Sequence, residues 1–455
     1  MSRTSELLEK QRQFYFSGKT RNPDFRREQL SRLLAAVRTH ENEITEALKL
    51  DLNKAPFESY ETEIGIVCKE IRNALRHLSG WTKPRSVCPS VLHFPSRGKV
   101  YREPYGTVLI MSPWNYPFQL TMVPLVGSIA AGNCTILKPS EYSLHTAQVM
   151  EKMIKEIFPE DYAAVIRGGR AANQDLLTEK FDYIFFTGSP RVGRVVMEAA
   201  AKNLTPVTLE LGGKSPCIVD ETAKIDLAAK RIVWGKFINA GQTCIAPDYL
   251  LVQKAVQEPL IRAMKKYTEA FYGPHPETGE DYPKIINDRH FERLRGLTGE
   301  GKIIFGGRFN EATRQIAPTL IEDVSWESPI MQEEIFGPLL PVLTFNRLDE
   351  VLPEIVRRPK PLALYLFTTD RKTKDQVMQT VSFGGGCVND TIIHIANTNL
   401  AFGGVGESGM GHYHGKATFD TFTHEKSVVE KSNCLDINLR YPPFKDHLAA
   451  LKKLI

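Results

Sequence analysis

The sequence predicts an α/β fold of parallel sheets covered on both faces by helices, with a small β segment standing apart. Three observations carry that prediction. From Tyr105 onward, short apolar runs alternate with helical segments of crossover length, the pattern of a parallel sheet whose strands are buried on both faces. A second such unit begins near Leu211-Gly-Gly213, and 455 residues are enough for two or three domains with a large core. Between Lys83 and Pro104, prolines recur too often for a buried parallel strand, so an edge hairpin outside the main sheet is expected there.

Composition excludes several function classes. Apolar residues make up 42% of the chain and charged residues 24%, the range of an ordinary soluble globular enzyme. The 58 basic and 53 acidic residues are evenly mixed, and a net charge of +5 is no footprint for nucleic acid. Residues 1–10 are charged throughout and lack the apolar core of a signal peptide. Residues 123–137 are strongly apolar, but they are few and are broken by Gly127, Ser128, Gly132 and Asn133, so no bilayer span is expected. The tail, Lys452-Lys-Leu-Ile455, carries no hydrophobic membrane anchor. Seven cysteines without a CxxC pair argue against a disulfide framework. They favour a reduced, cytoplasmic setting, which a thiol nucleophile requires.

Taken in order, residues 25–37 and 43–50 show helical periodicity with many charges and read as a helical layer covering a sheet. The first strand, from Gly106, runs into Ser112-Pro-Trp-Asn115-Tyr116-Pro117. An asparagine between prolines is either a rigid N–H donor or an ordinary turn residue. The second strand, from Cys134, ends at Lys138-Pro-Ser-Glu141. Ligands gather at the carboxyl ends of parallel strands, where such a pair can bind ribose hydroxyls and the acid disfavours a 2′-phosphate. By itself the pair is equally a solvated ion pair. Residues 163–166 form a third strand. A fourth, from Tyr183, leads into Gly188-Ser189-Pro-Arg-Val192-Gly193, a glycine turn opening a helix whose N-terminus can meet a pyrophosphate. It has neither GxGxxG spacing nor the Lys-Ser/Thr of a P-loop, and tight strand–helix packing also explains it.

Val207-Thr-Leu-Glu210 then reads as a short strand with a carboxylate at its end, ahead of a glycine turn. Residues 226–238 form an amphipathic helix, and Cys244 falls just past Asn239-Ala-Gly241, where that helix ends. A thiol and a carboxylate at element ends are what a covalent mechanism with a water-activating base needs. Beyond a strand from Tyr249 and a helix over residues 258–271 comes a polar, Gly- and Pro-rich region read as solvated surface. In Met331-Gln-Glu-Glu334-Ile-Phe336-Gly-Pro338, paired carboxylates, an aromatic and a Gly-Pro stop stand together. This is either a surface turn or a ligand segment, in which the Phe336 face packs on a planar ring. Residues 361–368 and 386–390 read as further strands. The glycines of residues 400–411 imply close backbone approach or positive φ. His412 and His414 lack the companion ligands of a metal site, and no metal is expected.

Glu210-Leu-Gly-Gly-Lys and Gly241-Gln-Thr-Cys244 resemble the two active-site signatures of the aldehyde dehydrogenases. Gln242-Thr-Cys-Ile-Ala-Pro-Asp-Tyr249 resembles the class 3 branch, which acts on fatty and aromatic aldehydes. The resemblance spans nearly the whole chain in family order. It implies an aldehyde-dehydrogenase-like fold of two parallel-sheet Rossmann-type domains plus a small β oligomerisation arm. Residues 1–82 and 101–211 would bind NAD(P), and 212–396 would carry the thiol. Residues 83–100 and 397–455 would form oligomerisation and bridging segments and the tail.

The resemblance assigns Cys244 as nucleophile, Glu210 as base and Asn115 as oxyanion donor. It places Lys138 and Glu141 at the adenosine ribose, with Gly188, Ser189, Val192 and Leu211 along the dinucleotide. Glu334 and Phe336 fall at the nicotinamide ribose and ring, and Tyr116, Trp234, Thr243 and Phe402 in an apolar substrate tunnel. NAD is the implied cofactor, with NADP possible, and a homodimer the implied assembly. A CoA-acylating relative would share Cys244, Asn115 and the cofactor turn but needs no hydrolytic base, so Glu210 argues for hydrolysis. A cysteine hydrolase would need a histidine paired to the thiol, and no such signature surrounds Cys244. A non-catalytic binding relative would have lost Cys244 or Glu210, and both are present.

Overall fold

Apolar side chains at helical spacing build the first layer of the molecule. In the computed structural model, which describes residues 3–90, 93–436, 438–444 and 447–454, the helices Pro23–Thr39, Glu41–Leu52 and Gly65–Trp81 form the anticipated charged layer. Met1, Ser2 and Ile455, at the ends of the two terminal segments read above, lie outside the described residues. Each helix turns one apolar stripe inward: Leu30, Leu33 and Val37, then Ile44, Leu48 and Leu52, then Val67, Ile71 and Leu78. The first and third cover the helix Gln119–Ala131, which is buried along its entire length, and the second packs on the helix Leu144–Ile157.

Beneath that layer lies a six-stranded sheet in the order Gly409–Met410, Val207–Glu210, Tyr183–Thr187, Thr107–Met111, Cys134–Lys138, Ala163–Val165. The last five are parallel. The chain enters at Thr107–Met111, builds outward in one direction, then returns to add Tyr183–Thr187 on the other side. This reversal opens a crevice at the strands' carboxyl ends, the usual ligand position in such sheets. The edge strand Gly409–Met410 comes from the tail and runs antiparallel, so the sheet is mixed.

The second sheet has seven strands, in the order Lys302–Phe305, Thr319–Glu322, Leu339–Phe345, Tyr249–Gln253, Pro216–Val219, Ala363–Phe367, Gly385–Val388. All are parallel except the edge strand Lys302–Phe305. Two of these strands, Lys302–Phe305 and Thr319–Glu322, correct the reading of the region between residue 271 and Met331 as polar surface, and Leu339–Phe345 adds a strand for which the sequence raised no expectation. Lys302–Phe305 is a partly exposed edge strand with charged neighbours, while Thr319–Glu322 follows Pro318 and Leu339–Phe345 contains Pro341, where proline usually argues against a strand.

Apart from both sheets, Arg85–Val87, Ser96–Pro104 and Thr423–Lys431 form an antiparallel trio. The hairpin expected from the prolines is therefore present, and its longer strand runs on past residue 100. The tail supplies its third strand and also docks on the first sheet. Its helix Lys416–Thr421 lies so close to Gln119–Ala131 that a Cβ on Gly127 would fall 2.2 Å from Thr418 Cγ2. The Phe422 ring, fully buried, sits 5.6 Å from both Tyr183 and Phe185. Phe422→Ala should lower stability by about 3–5 kcal/mol through the lost burial and the cavity left behind, measured as a shift in the urea unfolding midpoint.

Candidate active site

Cys244 owes its position to a run of left-handed backbone. The helix Ile225–Phe237 stops, and Asn239, Ala240 and Gly241 follow with φ of 51°, 50° and 72°. For the two non-glycine residues that conformation costs roughly 1–2 kcal/mol each, so surrounding contacts must hold it. Glu58 Oε1 accepts from the Asn239 N–H at 2.9 Å. Asn239 Nδ2 donates to the Asn115 carbonyl at 2.7 Å and to the Gln242 carbonyl at 3.1 Å. Gln242 in turn bonds the Asn239 and Lys284 carbonyls through Nε2 and accepts from the Ile286 N–H. At Gly241 a Cβ would lie 2.3 Å from the Gly337 carbonyl oxygen, so only glycine fits. The chain then turns and presents Cys244, half-buried, to a cavity.

That cavity has a volume of about 240 Å³, and Glu210 stands on its wall with Cys244. Glu210 ends its strand fully enclosed, and among the described residues neither carboxylate oxygen has a hydrogen-bond partner. Burial alone drives its pKa well above the carboxylate range. The Cys244 thiol is also pushed up, first by burial and then by the nearby Glu334 and Glu210 carboxylates, with its own and the Ile245 N–H opposing. With burial and two carboxylates disfavouring the thiolate, Cys244 rests as the thiol.

Tyr116, Trp234, Thr243 and Phe402, the four expected tunnel residues, all line the same cavity, and the Tyr116 hydroxyl lies 2.6 Å from Thr243 Oγ1. Ile238, Leu362, Ile392 and Ile395 make much of the remaining wall. Leu211 lies on this wall too, its N–H donating to the Ser408 carbonyl at 3.2 Å. Asn115, on the loop after Thr107–Met111, directs Nδ2 to the Gln242 carbonyl at 3.0 Å. One amide hydrogen is used in that bond, leaving a second for another acceptor.

A second cavity of about 120 Å³ opens at the carboxyl edge of the first sheet, lined by Lys138, Glu141, Val192 and Gly168 among others. Lys138 is buried, donates to the Pro139 carbonyl at 2.8 Å, and has its pKa pushed down to about 8 by burial against the opposing pull of Glu141. Glu141 leans over Gly169, where a Cβ would fall 1.9 Å from its Oε2. Ser189 caps the helix Pro190–Ala201, its hydroxyl accepting from the Val192 N–H at 3.4 Å. The Gly188 N–H donates to the Glu210 carbonyl at 2.9 Å, so the glycine turn and the buried acid share one strand end.

The Glu334 segment is no loose surface turn. Lys214, paired with Asp248, donates to the Ile330 and Glu333 carbonyls at 2.9 Å each, and Asp248 Oδ1 accepts from the Ile335 N–H at 2.9 Å. Phe336 takes a φ of 51° and meets Trp114 edge-on at 5.3 Å. Glu334 Oε1 is buried without a partner. Its pKa is pushed up to about 8 by burial, with Asp248 adding, and with the Gly213 N–H, Lys214 and Arg293 opposing. A cleft beside Lys138 and Glu141, a capped helix N-terminus at Ser189 and an unsatisfied carboxylate oxygen at Glu334 fit an elongated dinucleotide carrying ribose and phosphate groups.

A model of the aldehyde dehydrogenase family matches residues 11–428. The chain belongs to the aldehyde dehydrogenase family. It is 50% identical over 441 residues to a 4,4'-diaponeurosporen-aldehyde dehydrogenase of Staphylococcus aureus, covering 96% of each chain. It is 44% identical over 445 residues to the dimeric NADP-preferring aldehyde dehydrogenase of Rattus norvegicus, covering 97% of this chain and 98% of that one. A structure of the substrate-bound state of Staphylococcus aureus AldH superposes with a TM-score of 0.98 at 48% identity, over 100% of this chain and 99% of that one. The protein is an NAD(P)-dependent aldehyde dehydrogenase with the family's two-domain Rossmann-like fold.

Sequence reasoning passed over the charges of the helical layer. Lys54, Glu58 and Glu63 face the Asn115 loop and the Asn239 turn, whereas periodicity read the residues up to about Leu75 only as a charged helical layer covering a sheet. The clue available was Ser59-Tyr-Glu-Thr-Glu-Ile64, where the helical rhythm slips and the structure has a π turn over Tyr60–Ile64. His414 turns Nδ1 to Glu70 at 2.9 Å while His412 is exposed, and among the described residues no group of three or more His, Cys, Asp or Glu is arranged to hold a metal ion. Among the same residues no helix is long and apolar enough to cross a membrane.

Because the thiol pKa is raised, alkylation of Cys244 by iodoacetamide in the cofactor-free protein should be slow at pH 7 and still climbing above pH 9. Glu334→Gln removes the second largest cause and should shift the profile to lower pH, read by mass spectrometry of the Cys244 peptide.

Proposed function

We propose that this aldehyde dehydrogenase oxidises medium- or long-chain aliphatic or aromatic aldehydes to carboxylic acids through a thioester on Cys244, hydrolysed by water that Glu210 activates. The observation carrying the reading is the placement of Glu210, with two unpartnered buried oxygens, on the wall of the cavity that holds Cys244. A buried acid without a partner is costly to keep, and general-base work gives it a reason to be there.

In this reading Cys244 Sγ bonds to the aldehyde carbon while the carbonyl electron pair moves onto oxygen and the thiol proton leaves through water or Glu210. The second Asn115 amide hydrogen and the Cys244 N–H receive the oxyanion. Bound NAD(P) supplies the acceptor for the hydride that departs from the same carbon. Lys138 and Glu141 hold the adenosine ribose, Gly188, Ser189 and Val192 line the dinucleotide beside Leu211, and Glu334 and Phe336 fix the nicotinamide ribose and ring. Glu210 then takes a proton from water, the hydroxide adds to the thioester, Cys244 leaves as thiolate and the acid is released.

The apolar cavity wall supports the substrate class, and Glu141 in the ribose cleft supports a lean towards NAD, since a carboxylate repels a 2′-phosphate. We place the dinucleotide on residues 1–82 and 101–211 and the thiol on 212–396. Residues 83–100 and 397–455 serve assembly, and a homodimer forms through the exposed edge of Thr423–Lys431. A reduced, cytoplasmic setting suits the free thiols.

Absorbance of NADH with hexanal or benzaldehyde, in the absence of CoA, tests the reading. Steady turnover is expected in wild type, and one NADH per site followed by arrest in Glu210→Gln. A dependence on added CoA would instead establish acyl transfer to a thiol. Burial raises the Glu210 pKa, so its carboxylate fraction grows with pH over a higher range than that of a free glutamate. The steady-state rate should therefore climb through and above neutrality, and Glu210→Gln should lack that rise. Asn115→Ala should lower the rate of first NADH formation by roughly 10²–10³. Glu141→Ala should improve kcat/KM for NADP relative to NAD.

A further inference from the structure

We infer that Lys54 and Glu63 form a buried ion pair that positions the oxyanion donor Asn115; the inference rests on the role proposed above for that asparagine. Both side chains are 0% exposed, and Lys54 Nζ lies 2.6 Å from Glu63 Oε1. Such a pair is rarely retained for stability, because apolar side chains of similar volume often serve as well or better. What singles it out is where the remaining hydrogen bonds go. Lys54 Nζ donates to the Asn115 carbonyl at 3.1 Å, and Glu63 Oε2 accepts from the Phe118 and Gln119 N–H groups at 2.9 and 3.0 Å. The pair therefore grips both flanks of the loop that presents Asn115. The Lys54 ammonium also sits 4.0 Å from the centre of the Tyr116 ring.

From the opposite side, the Cys244 turn closes on the same peptide unit. Asn239 Nδ2 shares the Asn115 carbonyl with Lys54, while the Asn115 amide bonds Gln242. Lys54 and Asn239 thus fix the Asn115 main chain between the helical layer and the nucleophile turn. That leaves the side-chain amide one bond to Gln242 and one free hydrogen. The π turn Tyr60–Ile64 makes this possible by inserting a residue into the helix. Glu61 and Thr62 then line the substrate cavity while Glu63 faces inward to Lys54. Gly65 completes the device, since a Cβ there would sit 2.8 Å from the Tyr60 carbonyl oxygen.

Lys54 and Glu63 are positioning residues, and their effect should run only through Asn115. The test is a cycle between Lys54→Met/Glu63→Gln, in which the glutamine still offers an acceptor to Phe118 and Gln119, and Asn115→Ala. First-turnover NADH formation with NAD and hexanal is read by rapid mixing. Acylation of Cys244 by p-nitrophenyl acetate, read as the p-nitrophenol burst without cofactor, also develops an oxyanion. Both rates should fall at least tenfold in the double variant, with KM for hexanal within threefold. Alkylation by iodoacetamide, which forms no oxyanion, should stay within twofold. In the Asn115→Ala background the same pair of changes should alter either rate by less than twofold.

Rates within twofold of wild type in the double variant, or losses that multiply in the Asn115→Ala background, would overturn the inference. If Asn115→Ala leaves both rates intact, the oxyanion reading falls and this inference with it; normal losses in Asn115→Ala beside a silent double variant sink this inference alone. Should the double variant not fold, Glu63→Gln alone enters the same cycle and is read the same way.

Discussion

The junction between the Asn239 turn and the Asn115 loop is the constraint on which the remaining site geometry depends. Left-handed backbone at two non-glycine residues persists only where neighbours over-determine it. Here Glu58, Asn115 and Gln242 do so, and one carbonyl oxygen, that of Asn115, receives donors from both sides. The second sheet's nucleophile and the first sheet's amide donor are thereby locked as one unit. Sub-ångström placement is what positioning of a reacting carbon requires, and a loop tied from one side only would not supply it.

Around that junction the site collects buried carboxylates in place of cations. Glu210 and Glu334 both have oxygens without partners, and both raise the thiol pKa. In the absence of ligand the nucleophile is thus held in its less reactive form, protected from stray electrophiles and oxidants. The same desolvation favours the protonated form of Glu210, so its proton-accepting carboxylate grows in as pH rises. Exclusion of water is the largest cause of both pKa shifts, and the carboxylates add to that of the thiol.

Much of this arrangement can be read from the chain because it sits at element ends. Cys244 past a helix stop, Glu210 at a strand end and Ser189 opening a helix all follow from periodicity and glycine placement, and the structure has them at those positions. The buried charges are a different matter. Nothing in the spacing of Lys54 or Glu63 separates a solvated charge from a desolvated one, because burial there is decided by a loop some 60 residues away and by a π turn that breaks the helical register. Strands Thr319–Glu322 and Leu339–Phe345 escaped for a related reason. They are tolerated beside prolines because tertiary packing on both faces outweighs local propensity.

The tail strand Gly409–Met410 has a bearing on how the enzyme is made. It pairs with the strand that ends in Glu210, about 200 residues earlier in the chain. During synthesis the nucleophile turn and most of both sheets emerge well before the segment that completes the edge beside the base. A growing chain therefore carries an unpaired sheet edge until residues 409 and 410 have emerged, a stage at which unpaired edges invite association. The order of emergence makes closure of the Glu210 edge follow the emergence of the rest of both sheets, so a chain interrupted shortly before residue 409 would hold Cys244 yet lack the strand that borders Glu210.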